Sequence, residues 1–184
     1  MEVVKITNRG TGAGGGNTNK NGLSYEEITD LLTEFETVGT KNSCNIIQFN
    51  GSDIKFVHAC KANTHKFMNS INEKNLDLNP AAGCKSPDEA YINEDNKIIF
   101  IIEKKFQQGS GSVDEKIQTG DFKKKHYSQL FPNFKVEYIY CLSDWFKNGY
   151  SSELSYLKEN NIQIFWGSDD DYKSKIITFM TCYE

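Results

Sequence analysis

The sequence lacks the cysteine pattern of a zinc site or of a disulfide framework. Its five cysteines are odd in number, widely separated and include no CxxC pair, which favours reduced thiols. The chain also lacks an apolar run of the roughly 20 residues that a membrane span requires. Its N-terminus lacks the apolar core of a secretory signal. We therefore expect a soluble, cytoplasmic protein with no membrane partner.

Arginine is almost absent, because Arg9 stands alone beside twenty lysines. The net charge of −4 argues by itself against a nucleic-acid partner. The charge is uneven, however, since residues 97–126 hold seven lysines and four acidic residues. This local positive excess favours phosphate, and a bound metal ion would add to it. The length of 184 residues is typical of a single domain, here 1–184.

Two strand-like runs flank the turn-forming residues Glu94–Asn96. This pattern predicts an antiparallel hairpin, in which the start of the first strand lies beside the end of the second. Asp88 and Glu103 therefore meet, and Lys105 shares a face with Glu103 because strand side chains alternate. A carboxylate pair suits a hard divalent cation. The alternative interpretation is an edge hairpin that carries solvated charges.

The same residues, read as PD-x14-EKK, resemble the signature of the PD-(D/E)XK nucleases. The continuation from Gln107 to Lys116 is similar to that of a set of type II restriction endonucleases. This resemblance implies an α/β fold with a restriction-endonuclease-like αβββαβ core, a mixed central sheet flanked by helices. The resemblance covers roughly Gly22 to Leu142.

The resemblance also implies site roles. Asp88, Glu103 and the carbonyl of Lys104 would hold Mg²⁺, for which Mn²⁺ should substitute. Lys105 would position or polarise the attacking water and stabilise charge at the phosphate. Gln107 resembles a further motif residue that could orient Lys105 or contact the substrate backbone.

A first helix is predicted from Ser24, which with Glu27 forms a capping box. The predicted buried stripe consists of Ile28, Leu31, Leu32 and Phe35. Because the capping box uses the side chain of Glu27, the side chain of Glu26 remains available for another role. The pattern Gly22-x-x-x-Glu26 resembles the first-helix glutamate that several PD-(D/E)XK nucleases, including junction resolvases, bring to the metal. Alternatively, Glu26 only complements the helix dipole.

The segment from Gly10 to Asn21 is glycine-rich and polar, and we expect it to be flexible. Gly10-x-Gly12-x-x-Gly15 matches a dinucleotide fingerprint formally, but we expect no helix to begin at its third glycine. The segment is either a linker or a loop that orders against nucleic acid. The predicted nucleic-acid contacts are Arg9, Asn17, Asn19, Lys20, Gln108, Ser110, Ser112, Lys116, Lys123 and Lys124. The lysines after the motif could equally form a solvated helix face.

Elsewhere the pattern predicts alternating strands and helices. Ser168 is expected to cap a last helix with Asp169, Asp170 and Asp171 in its first turn, where they complement the helix dipole. The predicted strands are residues 3–7, 45–49, 54–59, 135–142 and 162–166, and the predicted helices are residues 64–72, 114–131 and 153–159. His58 and His65 fall on different elements, so we interpret both as ordinary residues.

We therefore expect a Mg²⁺-dependent DNA endonuclease, most simply a type II restriction enzyme acting on double-stranded DNA as a homodimer. Two active centres would cut two strands, and a palindromic site would mirror two-fold symmetry. The alternatives are a structure-specific nuclease similar to junction resolvases and a catalytically silent DNA-binding protein of the same fold.

Overall fold

The computed structural model describes residues 16–71, 85–108 and 113–183, with backbone only for 16–21 and 113–114. The predicted strand at residues 3–7 and the predicted contacts Arg9, Ser110 and Ser112 lie outside these ranges. The helices are α1 (Gly16–Ile28), α2 (Ala62–Ile71), α3 (Val113–Ile117), α4 (Gly120–Leu130), α5 (Ser151–Glu159) and α6 (Tyr172–Thr181). The strands are β1 (Phe35–Lys41), β2 (Cys44–Phe49), β3 (Lys55–Ala59), β4 (Glu89–Asn93), β5 (Ile98–Lys105), β6 (Lys135–Leu142) and β7 (Gln163–Trp166).

All seven strands form one mixed sheet in sequence order, from β1 to β7. Strands β1 to β5 are antiparallel neighbours, whereas β6 and β7 run parallel to β5. The parallel pairs need crossovers, which α3 and α4 provide before β6 and α5 provides before β7. The predicted mixed α/β sheet flanked by helices is confirmed at this level.

Helices cover both faces of the sheet. Tyr138 and Tyr140 of β6 join one buried cluster with residues of α2, α4 and α5, and Ile139 and Cys141 join the other with residues of α1 and α6. The side chains of β5 alternate between the two clusters in the same way. Because β5 is buried on both faces, its sequence begins with a continuous apolar run. Within the described ranges, no helix has the length and apolar character to cross a membrane.

The predicted start of the first helix is wrong. Helix α1 begins at Gly16, so Ser24 lies inside it and does not cap it. The helix ends at Ile28, whose side chain is 66% exposed, and Phe35 belongs to β1. Phe35 does not extend the helix, because its ring packs in the sheet layer. Its ring centroid lies 5.8 Å from that of Tyr91 and 6.3 Å from that of Phe56. Tertiary packing thus overrides a locally consistent capping signal.

The expectation that no helix begins at the third glycine of the fingerprint is also wrong, because α1 begins directly after Gly15. The backbone from Gly16 to Asn21 is helical, which corrects the expected flexibility of those six residues. The fingerprint nevertheless belongs to a parallel βαβ unit. Helix α1 instead precedes the antiparallel strands β1 to β5.

The predicted first turn of the last helix is also wrong, because α6 begins only at Tyr172. Asp169, Asp170 and Asp171 lie in the turn before it. Asp169 pairs with Lys147 at 3.1 Å, and Asp171 pairs with Lys175 at 2.8 Å. Salt bridges therefore involve two of these acids, and Asp171, the N-cap residue of α6, still lies at the N-terminus of the helix.

Candidate active site

The central hairpin brings Asp88 beside Glu103. In the register of β4 and β5, Glu89 lies opposite Ile102, so Asp88 is aligned with Glu103 one position further on. Asp88 Oδ2 accepts a hydrogen bond from the backbone N–H of Lys104 at 3.0 Å. Lys105 Nζ lies 2.7 Å from Glu103 Oε1 and 3.7 Å from Asp88 Oδ2. The predicted convergence of these three side chains is therefore present.

A second lysine reaches the same carboxylate from another element. Lys123 of α4 places its Nζ 2.7 Å from Glu103 Oε1, the oxygen that Lys105 also contacts. We call Asp88, Glu103, Lys105 and Lys123 the carboxylate–lysine cluster. Two carboxylates and two ammonium groups balance its formal charge.

Close packing at Gly120 sets the position of Lys123. A Cβ at Gly120 would lie 2.9 Å from Ile162 Cδ1 and 2.9 Å from Tyr140 Cε2. Only glycine therefore lets the start of α4 approach β6 this closely. The helix predicted over residues 114–131 is thus divided into α3 and α4, and α4 begins at Gly120, three residues before Lys123.

Burial and charge move the two carboxyl pKa values in opposite directions. Burial raises the pKa of Asp88, and the neighbouring Glu103 carboxylate raises it further. Burial alone would raise the pKa of Glu103, but Lys105 and Lys123 outweigh burial and hold that pKa below its usual value. Glu103 therefore ionises more readily than Asp88, and a further cation near Asp88 would favour its ionisation.

Glu26 of α1 is half-buried. Burial raises the pKa of Glu26, and the charge of Asp88 raises it further. Glu27, by contrast, is exposed. The two glutamates therefore differ in burial, which follows from the position of α1 and not from a capping box, and the assignment of Glu26 to the site stays a prediction.

A buried ion pair on the face of β5 opposite the cluster fixes α1 on that face. Lys104 Nζ pairs with Glu89 and also donates a hydrogen bond to the backbone carbonyl of Glu26 at 3.2 Å. The second oxygen of Glu89 accepts a hydrogen bond from Tyr91 at 2.9 Å. This set was missed in the sequence, although alternation along the hairpin places Glu89 and Lys104 on one face.

The backbone of Gln107, in the segment after β5, is held by the side-chain hydroxyl of Ser143. The Gln107 N–H donates to Ser143 Oγ at 3.1 Å, and Ser143 Oγ donates to the carbonyl of Gln107 at 3.1 Å. Gln107 is buried, while Gln108 is exposed. The role of Gln107 in orienting Lys105 stays a prediction.

The donor set fits a divalent cation that completes its shell with water and substrate. In the described part of the chain, no three His, Cys, Asp or Glu side chains are grouped closely enough to hold a metal. Mg²⁺, however, is commonly bound by one or two carboxylates together with water and phosphate oxygens. Asp88 and Glu103 meet that need, and the carbonyl of Lys104, which accepts from Lys105 Nζ at 3.0 Å, lies beside them.

The predicted nucleic-acid contacts fall in different places. Lys123 lies in the carboxylate–lysine cluster, and Lys124 pairs with Glu137 at 3.1 Å, away from it. Lys116 is exposed. The backbone is helical at Asn17, Asn19 and Lys20, where the structure describes the backbone only.

Comparison of the chain with protein-family models, with curated proteins and with solved structures finds no match. The fold and the site define the chain as a mixed α/β protein with a carboxylate–lysine cluster at one end of its central hairpin.

Proposed function

We propose that this protein is a Mg²⁺-dependent DNA endonuclease, and a type II restriction enzyme is the form that we favour. The observation that carries the proposal is the convergence of Asp88, Glu103 and Lys105 at the end of the β4–β5 hairpin. Two carboxylates and a lysine meet the needs of phosphodiester hydrolysis, which are a held cation, an activated water and a stabilised leaving oxygen.

The order of elements supports a PD-(D/E)XK assignment. Helix α1 precedes the antiparallel neighbours β3, β4 and β5, and α4 then leads to β6, which is parallel to β5. The αβββαβ core that the resemblance implies has this order, to which this chain adds α2 between β3 and β4. Strands β1 and β2 extend the sheet beyond β3, and β7 extends it beyond β6.

Each residue of the cluster has a distinct proposed task. Asp88 and Glu103 would hold Mg²⁺, which when bound neutralises phosphate charge and lowers the pKa of a coordinated water. Lys105 would position the attacking water through its ammonium group, which is already fixed by Glu103 and by the carbonyl of Lys104. Glu26 would orient a water.

Glu26 also favours the second candidate, a structure-specific nuclease similar to junction resolvases. Its electrostatic interaction with Asp88 supports the proposed assignment of this first-helix glutamate to the site. The two candidates differ in the expected product. A restriction enzyme acting as a homodimer cuts both strands at a fixed sequence, whereas a structure-specific enzyme cuts branched duplexes and leaves linear DNA intact.

Incubation of the protein with supercoiled plasmid and with a four-way junction, each with Mg²⁺ or chelator, tests the proposal. We expect linear plasmid with a single end sequence, formed only with metal. Cleavage of the junction alone would select the second candidate. Metal-independent cleavage, or no cleavage of either DNA, would contradict the proposed chemistry.

A further inference from the structure

We propose that Lys123 is a built-in counter-ion that competes with the metal for Glu103 and is released towards the substrate phosphate when metal binds. This inference rests on the proposed function, because it assigns a task within the same site. It starts from one observation. Two ammonium groups, those of Lys105 and Lys123, contact the single oxygen Oε1 of Glu103, each at 2.7 Å.

The two lysines differ in what else holds them. Lys105 also donates to the carbonyl of Lys104 at 3.0 Å and lies 3.7 Å from Asp88. Loss of the contact with Glu103 alone therefore does not release Lys105, although a bound metal would share its other two partners. Among the described residues, the side-chain hydrogen bond of Lys123 is to Glu103. Lys123 is thus the ammonium group that must move.

The charge balance gives the direction of that movement. Without metal, Asp88 and Glu103 are matched by Lys105 and Lys123, and the cluster needs no further cation. A divalent ion at the carboxylates creates an excess of positive charge, which a phosphate group would offset. The flexible four-carbon stem of Lys123 lets its ammonium follow that phosphate without a change in the backbone of α4.

The chain offers a closely matched control. Lys124 is the next residue of α4 and pairs with Glu137 at 3.1 Å, with side-chain exposures of 21% and 9%. The exposures of Lys123 and Glu103 are 17% and 10%. Lys124→Met therefore removes the same charge and a similarly buried ion pair, but leaves the cluster intact.

Titration calorimetry with Mn²⁺ and without DNA tests the competition. We expect Lys123→Met to bind Mn²⁺ about tenfold more tightly than the unmodified protein, a gain of about 1.4 kcal/mol. Lys123→Gln should behave similarly, while Lys124→Met and the charge-retaining Lys123→Arg should keep the original affinity. Circular dichroism reports whether each variant is folded.

The outcomes separate this inference from the proposed function. Unchanged or weaker Mn²⁺ affinity in folded Lys123→Met and Lys123→Gln overturns the competition, even if the protein cleaves DNA. Loss of folding in both variants makes Lys123 a structural residue and also overturns it. Tighter binding without any DNA cleavage supports the competition and contradicts the nuclease. No Mn²⁺ binding by any variant contradicts both.

Discussion

The ion pair between Lys104 and Glu89 should be among the most sensitive points of the fold outside the apolar core. Their side chains are only 2% and 13% exposed, and Lys104 also donates to the backbone of Glu26. Lys104→Met removes the charge and the donor but keeps the length of the side chain. Removing one partner of a buried ion pair costs about 3–5 kcal/mol, because the other charge is left without compensation.

The exposed pair of Lys41 and Glu94 provides the control, with side chains 43% and 27% exposed. Lys41→Met should cost less than about 1 kcal/mol, since solvent screens such pairs. Urea unfolding at neutral pH measures both free energies of unfolding. The double variant Lys104→Met/Glu89→Gln should recover part of the loss, because it leaves no buried charge. A cost for Lys104→Met no larger than that for Lys41→Met would refute this reasoning.

Three further predictions follow from the geometry of the site. Glu26→Gln should raise the Mg²⁺ concentration needed for half-maximal cleavage, whereas Glu27→Gln should leave it unchanged, and equal behaviour would contradict the assignment of Glu26. Because the pKa of Asp88 is raised in the folded protein, its ionisation opposes folding as pH rises above the unfolded value of about 3.9. Asp88→Asn should therefore raise the melting temperature in chelator at pH 7 but not at pH 3, and a lower melting temperature at pH 7 would contradict this. Gly120→Ala should cost about 1–3 kcal/mol in urea unfolding through overpacking against Tyr140, and an unchanged stability would show that α4 can shift freely.

The central hairpin could be predicted because its signals are local. Turn residues between two strand-like runs fix the register, and the register alone brings Asp88 opposite Glu103. Strands β2 and β3 could be predicted for the same reason. The turn signal Asn50-Gly51 lies between them, and Gly51 adopts a φ of +87°.

The parts that could not be predicted depend on packing between distant segments. The position of Lys123 depends on how closely α4 approaches β6, which Gly120 decides through contacts with Ile162 and Tyr140. Strand β1 is mostly exposed and contains Gly39, so its sequence carries little strand signal. The start of α1 escaped detection because Ser24 and Glu27 satisfy a capping pattern inside a helix that had already begun.

Single-turnover cleavage of a DNA duplex in Mg²⁺ by three alanine variants tests the central claim most directly. Asp88→Ala, Glu103→Ala and Lys105→Ala should each lower the rate by orders of magnitude, because each removes a group that acts on the metal or the water. Asp95→Ala, an exposed carboxylate at the opposite end of the same hairpin, should cleave at the original rate. An unchanged rate in any one of the three folded variants would contradict a shared hydrolytic centre at this end of the hairpin.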